Sequence, residues 1–311
     1  MSDDVVIALD VGGTGMKCAL VRPNGVVQHT ERHRTAAERG PAAVTEDILD
    51  IAAGLAARAR ADRLTPIAAG VVVPGVVDEA GGIAVWSSNV GFRDVPLRDL
   101  VADRLGLPAT LGHDVRAGGT AEARLGAGQG EPHVLFIAIG TGIAAAHVVG
   151  GRAFAGAHGA AGEIGHVIVR PGGPACACGS RGCLESVASA AAIGRRYAEV
   201  SGITGATAFD VAARAAAGEP LATGVWRAAL EALADGLLTA QALYDAGTIV
   251  LGGGLAEAGE ALLAPLRIAL DQRITFHRLP RLARAGLGDN AGCLGAALLA
   301  LDTLTGAGAD D

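Results

Sequence analysis

Runs of apolar residues separated by glycine-rich turns mark the beginning of the chain. The first run, Val5–Leu9, is joined by Gly12-Gly13-Thr14-Gly15 to a second run, Met16–Val21. A turn at Pro23-Asn24-Gly25 then leads to Val26-Val27. Apolar runs of this length, bounded by turn residues, predict three strands joined by two tight turns.

The same pattern returns in the middle of the chain. Val134–Ile139 is followed by Gly140-Thr141-Gly142 and Ile143–Val149, and Gly150-Gly151 then precedes Arg152–Phe154. This stretch also predicts strand, glycine turn, strand, turn and strand. The repetition predicts a duplicated architecture, although the two halves share little direct sequence identity.

Predicted helices and further strands account for most of the remaining chain. The predicted helices lie near Ala43–Ala61, over Leu97–Leu105, through Ala121-Glu122-Ala123, across the Ala- and Leu-rich stretch that ends near Leu243, after Gly254, and over Ala291–Leu301. The additional predicted strands are Ala68–Val73, Ala109–Leu111 and Thr248–Leu251. Helices alternating with short strands indicate an α/β fold, with the open start of the first sheet as the place for a nucleotide. A frayed tail is expected over Gly306–Asp311.

Length and composition set the scale of the fold and limit its partners. A chain of 311 residues is long enough for two domains, each with a core of its own. Half of the residues are hydrophobic but only 3% are aromatic, so we expect cores built from Ala, Val and Leu. The formal charge is −7 and no run of Lys or Arg stands out, so nucleic acid is not an expected partner.

No secretory or membrane element is expected. The opening sequence MSDDVVIALD lacks a basic region followed by an apolar stretch, so it predicts no secretory signal. Residues 134–151 carry no formal charge and in this respect resemble a membrane span. Gly140-Thr141-Gly142 interrupts this stretch, which favours a β-hairpin over a helix.

One short segment, residues 163–185, combines a histidine with three of the five cysteines of the chain. His166, Cys176, Cys178 and Cys183 would form a closed tetrahedral shell for Zn²⁺, with no open position for a metal-bound water. The alternative is a chance cluster of reduced cysteines in a loop of small residues. The compact spacing and the histidine favour a structural zinc. Thiolate ligands need a reducing compartment, so we expect the protein to be cytoplasmic.

Two glutamates flank this segment. Glu163 lies three residues before the histidine and Glu185 lies two residues after the last cysteine. Carboxylates accept hydrogen bonds from hydroxyl groups, so a rigid pair of them suits a polyol. The alternative is that each glutamate supports the zinc ligands or faces water. From the residues alone, both roles stay open.

The glycine turns are candidates for binding phosphate. Gly12-Gly13-Thr14-Gly15 joins two strands, unlike a Walker loop or a dinucleotide fingerprint, which lead into a helix. Glycine still lets phosphate oxygens approach backbone N–H groups, and Thr14 and Lys17 add a hydroxyl and a charge. Asp10, at the end of the preceding strand, is placed to hold Mg²⁺ through water. Any tight hairpin can use glycine, but a matching turn at Gly140-Thr141-Gly142 strengthens the phosphate interpretation.

Asp114 has two possible roles. It ends a short strand and begins a helix, where an aspartate commonly serves as the N-cap. The alternative role is general base, which takes the proton from a sugar hydroxyl as that hydroxyl attacks a γ-phosphoryl group. Spacing alone favours the cap.

The motifs together resemble those of the ROK family of sugar kinases, of the glucokinase type, within the actin-like, hexokinase-like ATPase superfamily. The resemblance extends over almost the whole chain. The matching segments are Asp10-Val11-Gly12-Gly13-Thr14, Pro74-Gly75-Val76-Val77-Asp78, Asp114, Gly140-Thr141-Gly142, Glu163-Ile164-Gly165-His166, the segment from Cys176 to Glu185, and Leu251-Gly252-Gly253-Gly254-Leu255. The zinc segment with its two glutamates is the most specific of these motifs.

The resemblance implies an α/β, two-domain actin-like ATPase (ribonuclease H-like) fold with a structural zinc module at 163–185. The small N-terminal domain would cover 1–113 and be joined by the C-terminal helix, about 291–305. The larger domain would cover 114–290. The resemblance also implies that sugar and ATP meet in a cleft between the domains, which closes to exclude water.

The resemblance also implies roles for individual residues. Asp114 would be the catalytic base. The sugar contacts would come from Gly75, Asn89, His113, Asp114, Gly142, Glu163, His166 and Glu185. The phosphate and nucleotide contacts would come from Asp10, Gly12, Gly13, Thr14, Gly15, Lys17, Gly140, Thr141 and Gly142, with Gly252, Gly253 and Gly254 bordering the adenosine. His166 would bind zinc through one ring nitrogen and sugar through the other.

Two departures from the family pattern bear on specificity. His113 stands where the family usually has Asn, so the sugar preference stays open. Gly15-Met16-Lys17 replaces the commoner lysine directly after the threonine, a variant shared with polyphosphate-using relatives, so the donor also stays open.

The leading hypothesis is an ATP- and Mg²⁺-dependent glucokinase of glycolysis and carbohydrate metabolism, expected to form a dimer or tetramer. The alternatives are a kinase for N-acetylmannosamine or fructose and a polyphosphate-dependent glucokinase. From another class, the family includes repressors with a DNA-binding domain ahead of the first glycine turn, which here begins at residue 12, so that class is not expected. A non-catalytic sugar-binding regulator is the third possibility, and the presence of Asp114 argues against it.

Overall fold

The computed structural model describes residues 3–306, which form alternating strands and helices. The strands are β1 Asp4–Val11, β2 Gly15–Val21, β3 Val27–Arg34, β4 Thr65–Val73, β5 Val76–Asp78, β6 Ile83–Trp86, β7 Arg93–Val95, β8 Ala109–His113, β9 His133–Ile139, β10 Ile143–Val149, β11 Arg152–Ala153, β12 Thr248–Gly252 and β13 Arg281–Arg284. The helices are α1 Pro41–Ala61, α2 Leu97–Leu105, α3 Asp114–Leu125, α4 Leu184–Ala188, α5 Ala190–Ser201, α6 Ala208–Ala216, α7 Pro220–Tyr244, α8 Glu260–Arg273 and α9 Ala291–Leu304. The predicted C-terminal tail, apart from Gly306, lies outside the described residues.

The described residues divide into two compact units. The first unit contains the chain up to Ala121, the segment Ala155–Ala160 and the chain from Asp289 onward. The second unit contains Glu122–Phe154 and Ala161–Gly288. The division of the sequence into domains at 1–113 and 114–290 stays a prediction.

The first unit is built on a five-stranded mixed sheet with the order β3-β2-β1-β4-β8. β2 is antiparallel to β1 and β3, whereas β1, β4 and β8 are parallel to one another. Parallel strands end at the same edge of a sheet, and this edge is where α/β proteins bind ligands. Asp10, Gly75 and Asp114 therefore come together at this edge, because each lies at or just beyond the end of one of these strands.

Helices cover both faces of this sheet. On one face, Val44 and Ile48 of α1 join Ile7, Leu9 and Val71 in a single buried apolar cluster. On the other face α9 packs against β1, β4 and β8. Small residues permit this close approach, since a side chain on Gly70 would collide with the backbone of Ala296. A residue with a side chain at position 70 would displace α9 from the sheet.

The second unit repeats the arrangement of the first. Its sheet has the order β11-β10-β9-β12-β13, with two antiparallel pairs followed by two parallel pairs, as in the first unit. The predicted duplication is thereby confirmed. A layer formed mainly by α4–α8 packs on this sheet, where Tyr197 and Leu233 join Leu135 and Ile137 in one buried cluster. None of the helices within residues 3–306 combines the length and low polarity that a membrane crossing requires.

A small three-stranded sheet, β5-β6-β7, belongs to the first unit and was not predicted from the sequence. Its strands contain three or four residues each, too few to give a clear alternating pattern. Ser87 closes the connection between β6 and β7, because its N–H donates to the Phe92 carbonyl (3.2 Å) and its carbonyl accepts from the Gly91 N–H (2.8 Å). This connection positions Asn89.

Candidate active site

The first glycine turn is fixed by hydrogen bonds within the first unit. The Gly12 N–H donates to the Gly15 carbonyl at 2.9 Å and closes the turn between β1 and β2. Thr35, fully buried just beyond β3, supports the turn through its hydroxyl, which donates to the Gly12 carbonyl, and its N–H, which donates to Thr14. A Cβ on Gly13 would lie 2.9 Å from the Asn89 Cβ. The predicted phosphate turn and one predicted sugar residue are therefore in contact.

Asp10 presents a half-buried carboxylate beside this turn. Burial and then the neighbouring Asp114 raise the pKa of Asp10 to about 6, while Lys17 acts in the opposite direction. The carboxylate lies against the backbone of Gly292 at the start of α9, where a Cβ would collide with it. Lys17 forms an ion pair with Asp289 (Nζ to Oδ1, 3.2 Å). Oxygen ligands of this kind suit Mg²⁺, so the donor set at Asp10 fits the predicted role.

Asp114 is the first residue of α3. One of its carboxylate oxygens accepts a hydrogen bond from the adjacent Val115 N–H at 2.7 Å. Burial raises the pKa of Asp114, against the opposing effects of this hydrogen bond and of Arg116. A carboxylate whose pKa is raised is a better proton acceptor than an ordinary surface aspartate. Asp114 therefore combines a raised pKa with the position of a helix-initiating residue, and its role as a general base stays a prediction.

His113 is buried immediately before Asp114. Its Nδ1 lies 3.4 Å from Asp114 Oδ1 and 3.5 Å from the Arg116 N–H, which donates to it. Burial, followed by the charge of Arg116, lowers the pKa of His113 to about 4, so the imidazole is neutral near pH 7. Nδ1 faces both an N–H donor and a carboxylate acceptor, so either ring nitrogen can carry the proton of the neutral ring, and Nε2 can act as a donor or an acceptor accordingly.

Gly75 occupies a backbone conformation that favours glycine. Its φ of 107° is in the left-handed region, and a Cβ would collide with the carbonyl of Trp86. This turn leads from β4 directly into β5, so Gly75 brings the small sheet and the Asn89 loop close to the main sheet. A larger residue here would displace the backbone that follows β4.

The four predicted zinc ligands lie together in the second unit. One ligand atom from each of His166, Cys176, Cys178 and Cys183 lies within 4.8 Å of the others. The Cys176 Sγ to His166 Nδ1 distance and the Cys178 Sγ to Cys183 Sγ distance are both 3.7 Å. In a tetrahedral site with Zn–S bonds of about 2.3 Å, sulfur atoms are about 3.8 Å apart. The residues therefore fit a closed zinc site.

His166 turns its second ring nitrogen away from the cysteines. His166 Nε2 lies 3.6 Å from Glu163 Oε2, while Nδ1 is on the side of Cys176. Both residues lie on a short 3₁₀ turn or at its start, over Ile164–His166. Both side chains are partly exposed, at 37% for His166 and 48% for Glu163. The arrangement leaves Nε2 and the carboxylate accessible to a polar ligand.

Glu185 joins the zinc segment to the second glycine turn. Its Oε2 accepts a hydrogen bond from the Ile143 N–H at 2.9 Å, and a Cβ on Gly142 would lie 2.5 Å from the same oxygen. The Ala145 N–H also donates to the Gly162 carbonyl at 2.7 Å, which fixes the start of the zinc segment on β10. In the second unit, Glu185, which is predicted to bind sugar, therefore contacts the glycine turn that is predicted to bind phosphate.

The third glycine run lies at the same edge of the second sheet. Gly252 ends β12 and is followed by Gly253 and Gly254, and because β12 is parallel to β9 the two strands end next to each other. Gly253 has a φ of 77°, and a Cβ there would lie 2.5 Å from the Ile139 carbonyl. Gly140 follows Ile139 directly, so the two glycine runs are neighbours.

Three supporting residues were not predicted from the sequence. Thr35 holds the first glycine turn, and the buried Arg116 forms an ion pair with the half-buried Glu79 close to Asp114. One indication of such a role is present in the sequence: Arg116 is the third residue of a helix that begins with Asp114, a candidate catalytic residue. Glu79 lies 37 residues away from Arg116, and sequence spacing does not indicate that they meet.

Comparison with known proteins identifies the family. The model of the ROK family matches residues 6–303. A glucokinase from Halalkalibacterium halodurans is 32% identical over 317 residues, covering 95% of this chain and 94% of the relative. An N-acetylmannosamine kinase from Citrobacter koseri is 31% identical, covering 94% and 98%. The crystal structure of a ROK glucokinase from Streptomyces griseus with glucose and AMPPNP superposes with a TM-score of 0.81 and 29% identity, covering 96% and 99%.

These matches and the doubled sheet topology place the chain in the actin-like ATPase class of α/β proteins, as the sequence predicts. Within that class, the chain belongs to the ROK family. The resemblance drawn from the motifs is thereby confirmed.

Proposed function

We propose that this ROK-family sugar kinase transfers the γ-phosphoryl group of ATP to a hydroxyl group of a hexose, with glucose as the leading substrate and glucose 6-phosphate as the product. The observation that carries the proposal is Asp114, a half-buried carboxylate with a raised pKa at the sheet edge that also holds Asp10 and leads into the first glycine turn. This combination suits a reaction that needs a proton acceptor close to phosphate.

Asp114 acts as the general base. Its carboxylate accepts the proton of the sugar hydroxyl as that oxygen attacks the γ-phosphorus, and the bond from phosphorus to the bridging oxygen of ADP breaks. The sugar is bound by Gly75, Asn89, His113, Gly142, Glu163, His166 and Glu185. The support for these roles is the contact of Asn89 with the phosphate turn and of Glu185 with Gly142.

The phosphates of ATP are bound by the glycine turns. Gly12-Gly13-Thr14-Gly15 and Gly140-Thr141-Gly142 offer backbone N–H groups, and Lys17 adds a positive charge. Gly252, Gly253 and Gly254 border the adenosine. Asp10 holds the Mg²⁺ that accompanies ATP, and that ion neutralises phosphate charge when it is bound.

A structural Zn²⁺ belongs to the proposal. His166, Cys176, Cys178 and Cys183 hold it, and it fixes Glu163 and Glu185 on the segment that they flank. Thiolate ligands require a reducing environment, so we place the enzyme in the cytoplasm. We also propose that it works as a homo-oligomer, without a nucleic-acid or membrane partner.

The pH dependence of kcat/KM provides one prediction. Asp114 accepts a proton only when it is ionised, and burial raises its pKa. We therefore expect kcat/KM to fall as the pH is lowered, with a midpoint above about 3.9, the pKa of an ordinary aspartate. Asp10, with a pKa raised to about 6, contributes to the same acidic limb. His113 does not, because its pKa is lowered to about 4 and it stays neutral. A profile that stays flat down to the ordinary aspartate range would contradict the assignment.

The substrate is tested by a coupled assay on a panel of glucose, mannose, fructose and N-acetylmannosamine, each with ATP, GTP and polyphosphate. We expect glucose with ATP to give the highest kcat/KM. The matched variant is His113→Asn, which restores the residue usual for the family and shows whether the bulkier, neutral imidazole sets the preference. Transfer to no sugar from any donor would reject the kinase proposal and favour the sugar-binding regulator.

N-Acetylmannosamine is the second candidate substrate. The relative from Citrobacter koseri carries that activity in its name and matches almost the whole chain. His113 replaces an asparagine, which changes the hydrogen-bonding groups next to the catalytic carboxylate. A kcat/KM for N-acetylmannosamine above that for glucose would establish this alternative.

A further inference from the structure

Arg116 is an arginine almost entirely removed from solvent, two residues after Asp114 on the first turn of α3. Its side chain is 4% exposed. Nε and Nη2 donate to Glu79 Oε1 at 3.0 and 2.8 Å, and Nη1 donates to the Gly159 carbonyl at 2.8 Å. All three guanidinium nitrogens are therefore engaged, in directions set by the planar group.

Glu79 connects the two sides of the catalytic turn. The oxygen that binds Arg116 also accepts the His113 N–H at 3.1 Å. The contacts of Glu79 thus reach the residue before Asp114 and the residue two positions after it. Because Glu79 follows β5 directly, the small sheet is tied to the junction between β8 and α3.

The third bond of Arg116 reaches a different segment. Gly159 belongs to Ala155–Ala160, the part of the first unit that leads along the chain to Glu163 four residues later. Its φ is 70°, and a Cβ there would lie 2.9 Å from the Val77 carbonyl, so its backbone packs closely on β5. Arg116 therefore restrains the chain shortly before a proposed sugar ligand.

An ion pair of this kind is a poor source of stability. Removing the Arg116 charge from water offsets much of its attraction to Glu79, and the Glu79 carboxylate is 34% exposed, so water weakens that attraction further. The geometry instead restricts orientation, since one carboxylate oxygen and one guanidinium fix two backbone groups, the His113 N–H and the Gly159 carbonyl. A surface pair such as Arg104 with Glu46 and Asp50 makes only contacts between side chains and has no such effect.

We propose that Arg116 and Glu79 are positioning residues that hold the Asp114 turn and the 155–160 segment in the geometry for phosphoryl transfer. This inference rests on the proposed role of Asp114 as general base. Neither residue is proposed to contact the reacting atoms. Arg116 also provides the positive charge that is closest in sequence to Asp114. The Asp114 carboxylate faces three charged or titratable groups: Asp10 of β1, His113 of β8 and Arg116 of α3.

The test compares Arg116→Met, Arg116→Lys and Glu79→Gln with the control Arg104→Met. Misplacement of a catalytic group by about 1 Å can cost on the order of 100-fold. We expect Arg116→Met and Glu79→Gln to lower kcat by about 10- to 100-fold, with the KM for ATP little changed, and Arg116→Lys to recover part of the loss. Arg116→Met should also move the acidic limb of kcat to higher pH, because the charge that lowers the pKa of Asp114 is gone.

Hydrogen–deuterium exchange provides a measurement that does not depend on activity. Arg116→Met and Glu79→Gln should raise exchange at residues 112–117 and 155–160 but not in β9 and β10, and Arg104→Met should raise neither. Unchanged exchange at both segments, or an increase spread evenly over the chain, would overturn the inference. A wild-type protein that phosphorylates no sugar would reject the proposed function, and the exchange data would still decide whether these residues position the turn.

Discussion

Asp114→Asn is expected to lower kcat for sugar phosphorylation by about 10²- to 10⁴-fold, the range that a positioned general base contributes. Asparagine has nearly the same shape and can still accept the Val115 N–H bond through its side-chain oxygen. It cannot take up the proton of a hydroxyl group. Sugar binding, measured by isothermal titration calorimetry, should stay close to that of the wild type. The rate is measured with the same coupled assay as the substrate panel.

The stability of this variant provides a second, independent signature. Burial raises the pKa of Asp114, so the ionised carboxylate destabilises the folded protein at neutral pH relative to the unfolded chain. That cost is fully present above the folded pKa and decreases as the pH falls toward the lower pKa of the unfolded chain, below which it is absent. A neutral asparagine removes the cost, so Tm at neutral pH should be equal to or higher than that of the wild type. Active sites often show this opposition between stability and activity.

The control for Asp114→Asn is Asp50→Asn, on the exposed surface of α1. Asp50 pairs with Arg104 and its side chain is 74% exposed, so we expect little change in kcat or Tm. Turnover by Asp114→Asn within a few-fold of the wild type would refute the base assignment. A large fall in Tm for this variant would instead indicate that Asp114 mainly supports the start of α3.

The buried strands could be predicted because their residues are almost all apolar. Val5–Leu9 and Thr248–Leu251 lie inside β1 and β12, which are covered on both faces. β3 was predicted only at Val27, because its remaining residues, Gln28–Arg34, are polar and half-buried or exposed at the sheet edge. β13 also lies at an edge and contains one buried residue, Leu282. Edge strands are held by backbone hydrogen bonds, which leave little trace in hydropathy.

The candidate site could be predicted where chemistry is concentrated in a short segment. The zinc ligands and their flanking glutamates lie within 163–185, and Asp114 lies at a strand-to-helix junction. Glu79 and Arg116 could not be paired in advance, because their contact depends on β5 folding back beside β8. Thr35 lies at the end of a polar stretch without a motif. These residues act through long-range packing, which residue types and local spacing do not show.

Cys178→Ser is expected to abolish zinc binding, which should be about one ion per chain in the wild type. A serine hydroxyl is a poor replacement for a thiolate, and a structural zinc site needs all four ligands. Loss of the ion should lower Tm, because binding of a structural metal contributes directly to folding free energy. Glucose affinity should also fall by roughly tenfold or more, equivalent to about 1.4 kcal/mol. Metal content is measured by elemental analysis after extensive dialysis.

The control is Cys18→Ala, which removes a buried thiol from the core of the first unit and is far from the zinc segment in sequence. It should keep the zinc and the glucose affinity, even if packing costs it some stability. If the zinc ion positions the sugar ligands, Cys178→Ser loses the ion and the glucose affinity together. Glu185 is held by the Ile143 N–H as well as by the zinc segment, so it retains one restraint when the ion is lost. Glu163 and His166 have no second restraint of this kind among the described contacts, so their share of the sugar affinity should disappear first. Unchanged glucose affinity in a zinc-free Cys178→Ser protein would show that the glutamates are positioned without the metal.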